Sequence, residues 1–164
     1  MKKTDITKLS FDPFEKIGKE WMLVTSGNMN SFNTMTASWG FAGVMWGKNC
    51  AVTVIRHSRY TYEFMEKNEY FTLAFFDEKY RKALNVCGSI SGRDTDKVKQ
   101  ADLTPVEIDG NVSFKEASLV LVCRKLYAQD MDVQNIIPEH RKWYDNDAVH
   151  KQYIGEIVSA YVKE

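Results

Sequence analysis

Short apolar runs rich in β-branched residues, separated by turn signals, most constrain the fold of this chain. Residues 50–55 read CAVTVI, a nearly continuous run that is typical of a buried strand. Further strands are predicted at residues 20–27, 33–39, 69–76, 116–131 and 150–162. The pair Asp109-Gly110 is the strongest short hairpin signal in the chain.

Helices are predicted only in the connections between these strands. One starts at Ser58 as its cap and ends at Asn68, and a second runs from Asp77 to Gly88. A third, short helix covers residues 95–102, whereas 41–49 and 132–149 are predicted to be irregular. This pattern favours a mainly β protein, an antiparallel β-barrel with short helices in its connections, over a doubly wound sheet.

The composition fits one globular domain over residues 1–164, without repeats or linkers. Basic and acidic residues balance at 22 each, which argues against a dedicated nucleic-acid binder. No apolar stretch approaches the roughly 18 residues of a membrane span, and the start of the chain does not resemble a signal peptide. We therefore expect no nucleic-acid or membrane partner and a cytoplasmic protein. Its three cysteines favour reduced thiols, with a disulfide or metal cluster as the alternative.

Common catalytic motifs are missing from the sequence. It contains no GxGxxG fingerprint after a strand, no phosphate-binding P-loop, no HExxH and no GxSxG. His57, His140 and His150 are far apart in the sequence, so no metal site is predicted.

Residues 33–39, NTMTASW, would place small polar side chains on one face of a strand without any charge. Such a face suits a flat heterocycle whose edge alternates hydrogen-bond donors and acceptors. The alternative is an ordinary edge strand with threonine on its wet face, since threonine has good β propensity.

Residues 55–61, IRHSRYT, lie where a buried strand gives way to a helix. Arg56 and Arg59 are cationic, and Ser58 and Thr61 are hydroxyl donors. A helix N-terminus attracts anions, and guanidinium groups match phosphate oxygens, so this junction predicts a phosphate site. The alternative is a capped helix with two solvated arginines.

Residues 87–97, CGSISGRDTDK, form a loop rich in glycine and serine, which let a backbone approach a ligand closely. A helix end followed by a new cap at Asp94 explains part of this segment but not its Ser-x-Ser-Gly-Arg run. Together, the three segments suggest a nucleotide-like cofactor with a phosphate at one end.

The same residues carry a resemblance to a known family. NTMTASWG, followed by an apolar strand that leads into R-x-S-R-Y-T-Y-E, resembles the flavin reductase family with the FMN-binding split-barrel fold. CGSxSGRDxDK, LVCRKLYAQDM and H-x-x-YIGEIV are similar to its flavoredoxin-type branch, and the likeness covers roughly residues 15–162. It implies a six-stranded antiparallel split barrel that forms a homodimer with FMN near the subunit interface.

The resemblance also implies roles for individual residues. The strand from Asn33 to Trp39 would line the flavin ring and ribityl chain, the 56–61 junction would hold the phosphate, and the 87–97 loop would close the site. His150 matches a histidine that lies near the flavin and the nicotinamide, although it can also be read as a surface histidine at a strand start. The cofactor-binding residues implied are Asn33, Thr34, Met35, Thr36, Ala37, Ser38, Trp39, Arg56, Ser58, Arg59, Tyr60, Thr61, Cys87, Gly88, Ser89, Ser91, Gly92 and Lys97.

Three functions remain open at this point. The first is an NAD(P)H-dependent FMN reductase that passes electrons to a partner, because the flavin itself supplies the hydride chemistry. The second is a flavoredoxin-like carrier with tightly bound FMN and a redox protein partner, and the third is a non-catalytic binding module. Cys87 lies at the edge of the expected site, either as a redox group or as a buried thiol.

Overall fold

An antiparallel sheet dominates the computed structural model, which describes residues 1–164. The strands are β1 (Lys2–Thr4), β2 (Met22–Asn28), β3 (Ser31–Ala37), β4 (Gly40–Met45), β5 (Lys48–Arg56), β6 (Tyr70–Phe75), β7 (Pro105–Ile108), β8 (Asn111–Phe114), β9 (Leu119–Asp130) and β10 (His150–Val162). The helices are α1 (Tyr60–Lys67), α2 (Arg81–Ser89), α3 (Lys97–Gln100) and α4 (Pro138–Arg141), with single helical turns between several elements. No helix of the structure has the length and apolar character that crossing a membrane requires.

The main sheet has the order β3-β2-β6-β9-β10-β5-β4, and β1 pairs with β10 outside this path. The predicted mainly β class is therefore confirmed, but the sheet has eight strands rather than six. On one side, the long strand β10 has two partners in succession: its first half pairs with β5, and its last residues pair with β1. Register shifts beside Gly155 and after Ile157 let β10 bend between these two partners.

Two apolar layers hold the sheet, one on each face, as the alternation of side chains along a strand requires. Inside the curl, Met22, Val24, Phe71 and Tyr153 belong to one buried cluster. On the outer face, a second cluster packs under α2 and the β7–β8 hairpin. Leu23, Phe76, Leu84, Phe114 and Val120 are among its members.

The turns confirm one sequence prediction and correct another. Asp109 and Gly110 both have positive φ angles, 48° and 74°, and close the predicted β7–β8 hairpin. Residues 41–49, predicted as a loop, instead contain β4 and the turn into β5, where Trp46 and Gly47 have φ angles of 51° and 70°. Tryptophan is an unusual residue for such a turn, so residues 45–48 carry no hairpin signal.

Candidate functional site

A cavity of about 290 Å³ opens where the two ends of the curled sheet approach each other. Residues of β3 and β5 line it together, although these strands are far apart in the sheet order. It is lined by Met35, Thr36, Ala37, Ser38, Trp39, Val54, Arg56, Arg59, Gly88, Trp143, Asp147 and His150. All but Val54, Trp143 and Asp147 belong to the residues singled out from the sequence.

Strand β3 meets the cavity through an edge without a partner strand, because it is the first strand of the sheet order. Antiparallel pairing with β2 uses the backbone groups of alternate residues, which leaves the others free to meet a ligand. The Thr36 hydroxyl donates to the Leu84 carbonyl oxygen on α2, and the buried Thr34 hydroxyl lies 2.8 Å from the Thr25 hydroxyl. β3 therefore offers its backbone edge, because the Thr34 and Thr36 hydroxyls are already bonded, and Ser38 lines the cavity directly after the strand.

Arg56, at the end of β5, is bonded to the irregular segment before β10. Its guanidinium donates to the carbonyl oxygens of Trp143 and Ala148, both at 2.8 Å, and Nε lies 3.3 Å from Asp147 Oδ2. Ser58 is also tied to this segment, since its hydroxyl donates to Asp147 Oδ1 at 2.9 Å. The prediction that Ser58 caps α1 is wrong, because Arg59 occupies the cap position and no side chain caps the helix.

Arg59 is the least engaged cation of the cavity. Its Nη2 donates to the Gly88 carbonyl oxygen at 2.6 Å, which ties the start of α1 to α2. Burial lowers the pKa of its guanidinium, while the nearby Asp147 carboxylate acts in the opposite direction. The remaining guanidinium N–H groups can bind an anion in the cavity.

Asn33, Thr61 and Gly92 lie beside the cavity and fasten its walls together. Asn33 Nδ2 donates to the buried Thr61 hydroxyl at 2.7 Å, so neither side chain lines the cavity. A Cβ atom on Gly92 would lie 2.2 Å from Asn33 Oδ1, which explains why glycine is needed where this loop crosses β3. Next to it, the Arg93 guanidinium stacks on the Tyr60 ring at 4.7 Å.

The end of α2 and the loop after it have mainly structural contacts. Gly88 lies within the helix rather than at its end as predicted, and a Cβ atom there would lie 3.2 Å from Thr36 Cβ. Burial raises the pKa of the Cys87 thiol to about 11, and all three cysteines are free and buried. The side chain of Cys87 is thus enclosed in the fold and does not line the cavity.

Lys97, Ser89 and Ser91 also make hydrogen bonds within this part of the fold. Buried Lys97 donates to the carbonyl oxygens of Cys87 and Ile90, both at 3.2 Å, and burial lowers its pKa to about 8. Ser89 donates to the Asn85 carbonyl oxygen of its own helix, and Ser91 Oγ accepts from the backbone of Arg93. Lys97, Asn33 and Gly92 border a second cavity of about 510 Å³.

His150, the first residue of β10, lies in the wall of the first cavity and is only 8% exposed. Its ring centroid is 5.1 Å from that of Trp39, and its Nδ1 lies 3.1 Å from the Tyr144 hydroxyl. Burial lowers its pKa to about 4, the positive charge of Arg56 acts in the same direction, and Asp147 opposes them. His150 is therefore a neutral imidazole at neutral pH.

Sequence reasoning missed Val54, Trp143 and Asp147. Trp143 and Asp147 belong to residues 132–149, which carry no periodic pattern. Trp143 meets Trp39 edge to face, with ring centroids 5.4 Å apart. The Trp143-Tyr144 pair in a mostly polar segment was the available signal, because large aromatic residues often have a tertiary partner.

Comparison with known proteins agrees with the architecture. Residues 14–164 match the family described as flavin reductase like domain. The chain belongs to this flavin reductase-like family of split barrels, which confirms the family inferred from the sequence motifs. A search of curated proteins gave no significant match.

Three solved structures illustrate the shared fold. An FMN-binding domain of a flavin reductases-like enzyme from Shewanella baltica OS155 has 18% identity and a TM-score of 0.71, with 98% of this chain and 76% of that chain covered. Flavoredoxin of Desulfovibrio vulgaris (Miyazaki F) has 20% identity and a TM-score of 0.70, with coverage of 100% and 78%. Nitrilotriacetate monooxygenase component B from Bacillus cereus has 18% identity and a TM-score of 0.70, with coverage of 100% and 82%.

Proposed function

We propose that this protein is an FMN-binding oxidoreductase that takes hydride from NAD(P)H and passes electrons to a partner. The observation that carries the proposal is the cavity itself, which joins an unpaired, uncharged strand edge to the cation Arg59 and the neutral imidazole of His150. A flavin needs neutral hydrogen-bonding groups along its ring edge and cations at its phosphate. Family membership and neighbours with FMN in their names support the same cofactor.

The residues of the cavity fit a flavin in their chemistry. Met35, Ala37 and Val54 offer apolar contacts, and the β3 edge offers backbone donors and acceptors. Gly88 brings α2 close to β3, since a Cβ atom there would lie 3.2 Å from Thr36 Cβ. At about 290 Å³ the cavity is near the lower limit of small-molecule sites, roughly 300 Å³, so part of the flavin would extend beyond it.

When bound, FMN supplies the hydride-accepting chemistry, and the protein binds and orients it. Arg59 would hold the phosphate, and the backbone of residues 35–38 would hold the ring edge. Neutral His150 would contact the ring or the nicotinamide through Nε2, since Tyr144 engages Nδ1. Its lack of charge leaves the cavity free of an extra cation beside a nicotinamide, which is itself cationic when oxidised.

A flavoredoxin-like carrier is the second candidate. The exposed side chains of Trp39 and Trp143 form a rim around the cavity that a redox protein partner could contact. This role requires tightly held FMN and slow direct oxidation of the nicotinamide. A non-catalytic module is the third candidate, and it requires that the cavity take up no flavin.

We also propose a homodimer in the cytoplasm. Apolar side chains lie exposed on β4 and its turn, where Phe41, Val44 and Trp46 are 53%, 74% and 62% exposed. β4 is the last strand of the sheet order, so its outer edge is unpaired and favours a second copy of the chain. Three free, buried cysteines suit a reducing compartment.

The absorbance spectrum of the purified protein tests these functions. We expect flavin bands after FMN addition, and their bleaching by anaerobic NADH or NADPH supports the reductase. Retention of FMN through gel filtration with slow bleaching favours the carrier instead. A protein that takes up no FMN contradicts both redox functions. Sedimentation of FMN-loaded protein at micromolar concentration tests the dimer, and a monomer contradicts it.

A further inference from the structure

Two of the donors predicted to hold a phosphate, Arg56 and Ser58, already hold a carboxylate of the protein itself. Asp147 Oδ1 accepts from the Ser58 hydroxyl at 2.9 Å and from the backbone of Ala148 at 2.7 Å. Its Oδ2 lies 3.3 Å from Arg56 Nε, and the same carboxylate acts electrostatically on Arg59. Asp147 therefore occupies the anion position beside Arg56 and Ser58.

We propose that Asp147 is a specificity-determining residue that competes with the phosphate of the flavin for Arg56 and Ser58. This inference rests on the proposed function, because it concerns the phosphate end of the same cavity. Asp147, Arg56 and Arg59 all line that cavity, so a bound phosphate must either displace the carboxylate or lie close to it. Both alternatives weaken the binding of a dianionic phosphate, whereas neither affects a flavin without one.

The surrounding contacts allow the Asp147 carboxylate to move away while the rest of the cavity wall stays in place. Arg56 is held by two carbonyl oxygens, those of Trp143 and Ala148, independently of Asp147. The edge-to-face contact of Trp143 with Trp39 also fastens the segment. About half of the Asp147 side chain is exposed, so it can turn toward solvent when a phosphate arrives.

The proposal has a consequence for how the flavin is used. A site with a built-in anion holds FMN less firmly than one whose donors are all free. FMN would then exchange during turnover as a substrate, which favours the reductase over the carrier. We expect the wild-type protein to prefer FMN over riboflavin only weakly.

Asp147→Asn is the sharpest test, because asparagine has the same shape and keeps an oxygen that can accept from Ser58 and from the Ala148 backbone. It removes the charge and replaces Oδ2, the oxygen that faces Arg56 Nε, by an NH2 donor. Asp145→Asn is the matched control, since Asp145 is an exposed carboxylate of the same segment and does not line the cavity. Dissociation constants for FMN and riboflavin are measured by calorimetry at constant ionic strength, and inorganic phosphate is titrated separately by ³¹P NMR.

We expect Asp147→Asn to lower the dissociation constant for FMN about tenfold, because one repulsive charge at short range is removed. Riboflavin should change by less than about twofold. Inorganic phosphate should also bind Asp147→Asn more tightly than it binds the wild-type protein. Asp145→Asn should leave the affinities for FMN, riboflavin and phosphate unchanged. Weaker FMN binding by Asp147→Asn, or equal changes for FMN and riboflavin, overturns the proposal.

The phosphate titration separates this inference from the proposed function. If the wild-type protein binds neither flavin, the proposed function fails, but tighter phosphate binding by Asp147→Asn still supports the competition. If phosphate binds Asp147→Asn and wild-type protein equally, the competition is refuted whatever the flavin does.

Discussion

His150 should make the stability of this protein fall as the pH falls from about 6.5 to about 4. Its pKa is lowered from 6.5 to about 4 in the folded state, first by burial and then by Arg56. Between these values the unfolded chain binds a proton that the folded chain does not, so acidification favours unfolding. Below about pH 4 both states bind the proton, and the loss from this group stops.

From these two pKa values, the free energy of unfolding should fall by about 2 kcal/mol between pH 7.5 and pH 5.0. Solvent that enters the open cavity screens the charge, so about 1–2 kcal/mol is the expected range. The assay is urea unfolding of wild-type protein and His150→Gln at both pH values. Carboxylates titrate in both proteins, so the difference between the two losses isolates His150.

His140→Gln is the control, because His140 is exposed on α4 and should behave as the wild-type protein does. Equal losses for wild-type protein and His150→Gln would refute the argument. So would a His150 resonance that titrates by NMR with a midpoint above about 6, since burial would then not act as inferred.

Three further outcomes follow from the geometry. Gly155→Ala should lower the free energy of unfolding by about 1–3 kcal/mol, because the new Cβ would lie 2.7 Å from the Phe71 ring. Gly43→Ala is the control and should be nearly neutral, because its new Cβ would meet nothing within 4 Å. Urea unfolding compares the two variants, and equal effects would contradict this prediction. Arg59→Ala should weaken FMN by about tenfold and riboflavin far less, as measured by fluorescence quenching, and equal losses would show that Arg59 does not hold the phosphate. Thr36→Val should cost about 1 kcal/mol of stability through the lost bond to Leu84 but change flavin affinity little, and a large loss of affinity would mean that the hydroxyl, not the strand backbone, meets the ring.

Much of the fold was accessible from the sequence because its signals are local. The stretches rich in aromatic and aliphatic residues that became β5, β6, β9 and β10 reflect burial within each strand, and Asp109-Gly110 reflects a turn that few residues adopt. The β4 strand was not accessible, because its side chains are largely exposed and its turn carries a tryptophan. When a strand is stabilised mainly by pairing with its neighbour, its own residues carry little of the apolar pattern that predicts a strand.

For the site, the sequence by itself determined the residue types and their placement at the β3 edge, at the start of α1 and at the start of β10. Only the tertiary structure decided which side chains remain available. It bonds Thr36 to α2, Thr61 to Asn33, and Arg56 and Ser58 to Asp147, and it brings Trp143 against Trp39. A residue type fixes what a group can donate or accept, but its hydrogen bonds are assigned by neighbours that are distant in sequence, and those neighbours meet only when the sheet curls.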